Sequence, residues 1–277
     1  DHRDLHSFPT RRSSDLERPD AAAAAALAAA ASGTLAEVSY ASADVADAAR
    51  LREVLGAVAE RGELRGVLHC AGVIDDAAVF RQDLMRLSRA FRPKVLGSWN
   101  LHELLVVSGS CDSKRGPRNP APPLPINPTT TPQLPLVLFS SVSALTGSFG
   151  QANYAAANAF MDGLARMRVH NQLPALSIRW GAWAEVGMAT TAVVARGLEQ
   201  SGHVPFSPGV GVTCLEMLLM GEWLARQQRQ PVVADPVVLG VRWGALLERM
   251  ARPQAMFSRM MTAAAAEAEA RSGESEL

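Results

Sequence analysis

The chain has 277 residues, 27 basic and 27 acidic side chains, a formal net charge of +0 and a pI of about 7.2. This balance gives no indication of the basic face that nucleic acids or anionic membranes bind. The chain is long enough to bury a core, and no apolar run reaches the ~18 residues that span a bilayer, so we expect a cytoplasmic protein.

Cysteine and histidine give no sign of a metal site or a disulfide framework. The chain has three scattered cysteines and no Cys-x-x-Cys pair, and its six histidines lack ligand spacing. We therefore predict no metal. His69 lies in an apolar stretch and is interpreted as a packed core imidazole.

The first periodic elements precede residue 71. The pattern predicts a strand over residues 35–42, a helix N-cap at Asp44, an amphipathic helix over 46–61 and a strand over 66–70. Alternating strands and helices indicate a parallel sheet that is covered on both faces.

The next regular elements follow a proline-rich segment. Residues 108–135 lack periodicity and are interpreted as an insertion loop. After it, we predict a strand over 136–139, a helix over about 153–170 and a strand over 175–180. A helix over 207–228, a strand over 231–235 and a trailing segment over 241–247 complete the pattern.

The strand-helix-strand unit carries side chains that suit carbonyl reduction. Tyr154 and Asn158 share one helix face because they are four residues apart, and Ser141 ends the preceding strand. A tyrosine can act as a general acid, but its ordinary pKa of about 10 calls for a nearby cation. Only two of the 27 basic residues are lysines, and Lys94 is the candidate. Spacing alone leaves open that Tyr154 is a helix-start residue and Lys94 a solvated one.

Four ordered motifs then resemble the ketoreductase domains of modular and iterative polyketide synthases, within the short-chain dehydrogenase/reductase superfamily. They are GVLHCAGVIDD (66–76), RPKVLGSWNLHEL (92–104), FSSVSALTGSFGQANYAAANAFMD (139–162) and SIRWGAWAEVGMA (177–189). The resemblance covers roughly residues 36–243. It implies a Rossmann-like, doubly wound α/β fold.

The resemblance implies a catalytic group of Lys94, Ser141, Tyr154 and Asn158. Tyr154 would donate the proton, Ser141 would polarise the substrate carbonyl, and Lys94 would lower the tyrosine pKa and help to hold the nicotinamide ribose. Asn158 would keep Lys94 and a water network in place. Most of the superfamily carries its lysine at the position of Asn158, whereas polyketide ketoreductases take it from the earlier PKV segment.

The cofactor and substrate residues also follow from the resemblance. The implied cofactor is NADPH, with Asp44 at the adenine and Ala71, Gly72, Lys94 and Tyr154 beside the dinucleotide. Ile74, Asp75 and Asp76 stand where B-type ketoreductases carry LDD, and the A-type tryptophan would fall at Thr146. We therefore expect an R hydroxyl. The substrate and stereocontrol positions are Asp76, Gln151, Trp183 and Met188.

The chain departs from the family pattern at its N-terminus, where it has no G-x-G-x-x-G. We interpret residues 1–16 as a non-native scar and residues 17–250 as a ketoreductase domain fragment that lacks its first strand-helix-strand unit. On this interpretation the chain as written binds NADPH weakly or not at all. Residues 251–277 resemble an interdomain linker toward an acyl carrier protein.

The expected function is therefore NADPH-dependent reduction of a β-ketoacyl thioester to a β-hydroxyacyl thioester within a polyketide synthase. The partners would be the acyl carrier protein that carries the substrate on phosphopantetheine and other synthase domains in the same polypeptide. Two alternatives stay open: a catalytically inactive, structural ketoreductase-like domain, and a free-standing short-chain dehydrogenase.

Overall fold

The computed structural model describes residues 41–61, 64–106, 134–185 and 202–242. The predictions for segments 1–16 and 251–277, for most of segments 35–42 and 108–135, and for Met188 lie outside these residues. In chain order the elements are α1 (Ala48–Arg61), β1 (Val67–His69), α2 (Leu84–Phe91), α3 (Gly97–Leu105), β2 (Leu136–Ser141), α4 (Ser143–Thr146), α5 (Ala152–His170), β3 (Ala175–Trp180), α6 (Pro208–Gln227) and β4 (Val237–Val238).

The strands form one parallel sheet in the order β1-β2-β3-β4. Val67 pairs with Leu136, and Leu136 pairs in turn with Ala175, so the three longer strands start level with one another. Their carboxyl ends therefore lie along one edge of the sheet. The predicted parallel α/β sheet is confirmed, and the strand-order reversal of a doubly wound sheet is not among the described strands.

The alternation of side chains along β2 and β3 divides the core into two layers. Leu136 and Leu138 pack against Met161 and Leu164 of α5, together with side chains of α1 and α3. Val137, Leu176, Ile178 and Trp180 point to the opposite face and pack against α6. Helices thus cover both faces of the sheet. Within the described ranges, none of the helices is long and apolar enough to cross a membrane.

Two sequence predictions at element ends were wrong in detail. The helix predicted from residue 46 begins at Ala48, and Asp47, not Asp44, accepts hydrogen bonds from the amides of Ala49 and Arg50 at its start. Asp44 instead caps the preceding turn by accepting from the amide of Ala46.

The last strand lies at Val237–Val238 and not at residues 231–235. Residues 234–236 do run beside β3, since the amides of Ser177 and Arg179 donate to the carbonyls of Ala234 and Pro236. Pro236 has no N–H to return to the ladder, so regular pairing starts only after it.

A buried polar network fixes α5 on the sheet. Asp162 of α5 is 1% exposed; its carboxylate accepts from the hydroxyl of Ser177 at 2.7 Å and from Nε of Arg179 at 2.7 Å. Arg179 also pairs with Asp235, which accepts from Arg166 of α5 at 2.7 Å. The network thereby ties the helix, β3 and the segment before β4 to one another.

Removing the Asp162 carboxylate should destabilise the fold more than removing an exposed helix cap. The Asp162→Ala change leaves two buried donors without an acceptor, and we expect a loss of about 3 kcal/mol in the free energy of unfolding. The control Asp83→Ala removes the exposed cap of α2, which accepts from the amide of Arg86, and should cost about 1 kcal/mol. Urea unfolding of both variants measures the difference, and equal losses would contradict the network's role.

Candidate active site

Lys94 is presented by an irregular turn between two helices. The residues Arg92–Leu96 form a single π-helical turn that joins α2 to α3. Pro93 has no N–H for a regular helical bond, and the wider turn accommodates it. The carbonyl of Pro93 accepts from Nε2 of His69 at 3.0 Å, and burial lowers the pKa of His69 to about 4, so the imidazole donates as a neutral group. β1 thus holds the turn that carries the lysine.

The lysine amine is buried at the carboxyl edge of the sheet. Lys94 is 2% exposed, and its Nζ donates to the carbonyl of Phe139 in β2 at 3.0 Å. The same Nζ lies 5.4 Å from the centroid of the Tyr154 ring. Burial lowers the pKa of Lys94 to about 8, whereas the negative charges of an ionised Cys70 and of the Asp162 carboxylate act to raise it. The amine therefore remains mainly an ammonium at neutral pH.

Tyr154 and Asn158 lie on the first turns of α5, beside that amine. Both side chains are buried. Nδ2 of Asn158 donates to the backbone carbonyl of Tyr154 at 2.8 Å, while its Oδ1 has no hydrogen-bond partner within the described part of the chain. The hydroxyl of Ser140 contacts the carbonyl of Asn158 at 3.4 Å, which links β2 to this helix.

The pKa of Tyr154 differs from the sequence expectation. Burial raises it above the ordinary value; the side chains of Asn158 and Ser141 act against burial, and the charge of Asp76 acts with it. The net shift is thus upward, and the expected lowering of this pKa by Lys94 stays a prediction. The phenol is protonated at neutral pH, which is the state that a proton donor requires.

Ser141 ends β2, as predicted, and a neighbouring serine sets the direction of its hydrogen bonds. The hydroxyl of Ser143 donates to Oγ of Ser141 at 3.0 Å, and the amide of Ser143 donates to the same oxygen at 3.2 Å. Because two donors already occupy this oxygen, the proton of Ser141 points away from Ser143. Sequence spacing alone carried no signal for this contact of Ser143.

The positions predicted for the cofactor differ in how close they lie to Lys94. A Cβ atom on Gly72 would lie 2.9 Å from Cε of Lys94, so a larger residue at this position would displace the end of the lysine side chain. Ala71 is exposed next to it. Asp44 accepts from NH2 of Arg92 at 3.0 Å, and Arg92 lies two residues before the lysine.

Two of the predicted substrate residues contact each other. Nε2 of Gln151 donates to the carboxylate of Asp76 at 3.0 Å, and burial raises the pKa of Asp76. Trp183 packs instead against Trp180 and Phe206, with ring centroids 4.9 Å and 5.3 Å away, and belongs to the second core layer. No cluster of three or more His, Cys, Asp or Glu side chains in the described residues could hold a metal ion.

Asn153 is a site residue that sequence analysis missed. It directly precedes Tyr154 and is 2% exposed. Its position at the start of a helix, where asparagine is favoured, was the available signal, but the partners of its amide come from distant segments that the helical pattern does not reveal.

The titration of Lys94 tests its burial directly. The chain has only two lysines, so lysine labelled with ¹³C at Cε gives two signals, and Lys114→Arg leaves that of Lys94 alone. We expect a midpoint at about pH 8 in the folded protein and about 10.4 in urea. Between these values the unfolded chain binds more protons, so the cost of burying Lys94 falls as pH rises. A folded midpoint equal to that in urea would contradict the burial.

Comparison with known proteins relates the chain to a protein family. The sequence matches the KR domain over residues 9–112 and 129–185, more than half of the chain. The matched range overlaps the segment 1–16, and its gap lies within the proline-rich segment.

Curated relatives show the same relationship at the sequence level. The chain is 37% identical over 188 residues to mycoketide-CoA synthase of Mycobacterium tuberculosis, and 39% identical over 178 residues to the spectinabilin polyketide synthase system protein NorA' of Streptomyces orinoci. These alignments cover 67% and 64% of the chain, and the chain spans only 4% of the length of each relative.

Solved structures show the relationship at the level of the fold. The structure of an A1-type ketoreductase has a TM-score of 0.69 at 31% identity, covering 86% of this chain and 44% of that one. The first ketoreductase of the tylosin polyketide synthase has a TM-score of 0.60 at 31% identity, covering 83% and 43%. The chain therefore belongs to the KR family, the ketoreductase domains of polyketide synthases within the short-chain dehydrogenase/reductase superfamily.

Proposed function

We propose that the intact protein reduces a β-ketoacyl thioester to a β-hydroxyacyl thioester with NADPH, and that Lys94, Ser141, Tyr154 and Asn158 form its catalytic group. The observation that carries this proposal is the convergence of a buried amine, a buried phenol and a directed serine hydroxyl at the carboxyl edge of a parallel sheet. Ligands of open α/β sheets bind at this edge.

The residues at this edge fit the nicotinamide end of a dinucleotide. Gly72 leaves room where a Cβ atom would collide with Lys94, and the ammonium has three donors, of which the carbonyl of Phe139 uses one. Oδ1 of Asn158, which has no hydrogen-bond partner among the described residues, offers a buried acceptor beside them. Lys94, Tyr154, Ala71 and Gly72 would hold the nicotinamide and its ribose, and Asp44 the adenine. A reduced nicotinamide bound there supplies the hydride.

The chain's own side chains then handle the carbonyl oxygen and its proton. Ser141 donates its proton to that oxygen and polarises the bond, because Ser143 already occupies the serine oxygen as a donor. Tyr154 gives up its phenolic proton to the same oxygen. The ammonium of Lys94, 5.4 Å from the ring, stabilises the phenolate that remains.

The partners follow from the same proposal. The relatives are named as synthases and synthase system proteins and are far longer than this chain. We therefore infer that other synthase domains belong to the same polypeptide. An acyl carrier protein would present the substrate as a phosphopantetheine thioester.

Replacing the proposed acid should abolish most turnover. In the intact parent protein, Tyr154→Phe keeps the ring but removes the proton, and we expect kcat to fall about 10²- to 10⁴-fold. Tyr40→Phe makes the same change at the only other tyrosine of the chain and should leave kcat unchanged. Oxidation of NADPH in the presence of a β-ketoacyl thioester measures both.

The outcomes of that experiment separate two functions. Turnover retained by Tyr154→Phe would remove the proposed acid. An unmodified parent that folds but shows no reduction would favour the inactive structural domain instead.

The stereochemical outcome is a separate prediction. The loop with Asp75 and Asp76 resembles the B-type motif, so the product should be the R alcohol. Chiral chromatography of the product against a racemic standard from chemical reduction checks this. A predominance of the S alcohol would contradict the B-type assignment but not the reduction itself.

A further inference from the structure

The side chain of Asn153 joins three separate segments of the chain. Its Oδ1 accepts from the amide of Tyr154 at 2.8 Å. Its Nδ2 donates to the carbonyl of Asp75 at 2.9 Å and to that of Arg86 at 3.2 Å. One buried amide thus connects the start of α5, the loop after β1 and helix α2.

Two further hydrogen bonds join the same loop to the same part of the chain. The amide of Ala77 donates to the carbonyl of Gly150 at 2.9 Å, and Nε2 of Gln151 donates to Asp76 at 3.0 Å. Three successive loop residues are therefore each tied to the segment 150–153. Gly150 has a φ of +77°, a conformation that favours glycine at this approach.

Side chains of α2 also contact this loop. The carboxylate of Asp75 pairs with the guanidinium of Arg86, and it accepts from that of Arg89 at 2.9 Å. Because Asn153 binds the backbone carbonyls of both Asp75 and Arg86, each of the three residues contacts the other two. These mutual contacts fix the position of the loop relative to both α2 and α5.

From this geometry we propose that Asn153 is a positioning residue that holds the loop with Asp76 at a fixed distance from the Tyr154 acid. Its role rests on the function proposed above. Tyr154 directly follows Asn153, and Asp76 directly follows the loop residue that Asn153 binds. The residue that delivers the proton and the residue that faces the substrate therefore cannot move independently. The clamp, defined as the contacts among Asp75, Arg86 and Asn153, restricts which face of the carbonyl meets the acid.

Two substitutions separate this role from simple capping of the helix. Asn153→Ala removes every contact of the amide. Asn153→Asp keeps an oxygen that can accept from the amide of Tyr154 but loses both donors to the carbonyls of Asp75 and Arg86. If Asn153 only caps α5, the Asp variant resembles the unmodified protein in every assay. If Asn153 positions the loop, both variants show the same defect.

The matched control lies at the other end of the same helix. Asn171 is exposed, and its Nδ2 donates only to the carbonyl of Met167 among the contacts that the structure gives for this atom, at 2.8 Å. Asn171→Ala makes the same chemical change far from the loop. It should alter neither the loop nor the product.

The first readout is the product ratio of the intact parent protein. In both Asn153 variants we expect the fraction of the minor alcohol to rise about tenfold, the change that follows from losing one or two hydrogen bonds of ordinary strength. KM should rise with it while the folded fraction stays high. An unchanged product ratio and KM in an active protein would overturn the positioning role.

The second readout does not depend on activity. Hydrogen exchange at the amide of Ala77, followed by mass spectrometry on its peptide, should accelerate about tenfold in both Asn153 variants and not in Asn171→Ala. Unchanged exchange at residue 77, or equal acceleration throughout the protein, would overturn the clamp. A parent that reduces no ketone would refute the proposed function, and the exchange measurement would still decide whether the clamp exists.

Discussion

The burial of one lysine amine beside one phenol is the constraint on which the site depends. Removing an ammonium from water costs several kcal/mol unless other groups compensate, and the lowering of the Lys94 pKa to about 8 shows that part of this cost remains. The protein offsets the rest with the carbonyl of Phe139. It holds the π turn through His69, and it keeps residue 72 small.

The parallel sheet is what brings these groups to one place. The cation comes from the turn after α2, the serine from the end of β2 and the phenol from the start of α5. These three elements are separate segments of the chain, and the fold brings them together. The level start of the strands and the Asp162 network set their relative positions, so the precision of the site depends on packing far below it.

The sequence predicted the elements whose periodicity is strong and missed contacts that depend on tertiary structure. The strand at residue 175 and the long helix after Gln151 were predicted nearly to the residue, because each pairs an apolar run with a clear terminus. The strand predicted to end at residue 139 continues to Ser141. The last strand begins only after Pro236, and the helix predicted to be capped by Asp44 is capped by Asp47. The roles of Ser143 and Asn153 could not be predicted, since sequence spacing does not identify the groups that their side chains contact in the folded protein.

The direction of the Tyr154 pKa shift also depends on tertiary structure, and it affects the proposed chemistry. Spacing indicated a cation near the phenol, but only the fold shows how deeply both are buried, and burial raises the pKa of Tyr154 while lowering that of Lys94. In the proposed reaction the resting site therefore holds one buried positive charge and a neutral phenol. Transfer of the phenolic proton then creates an ammonium-phenolate pair. Opposite charges attract strongly in a low-dielectric site, so the burial that makes the acid weak at rest also favours the state that follows proton transfer.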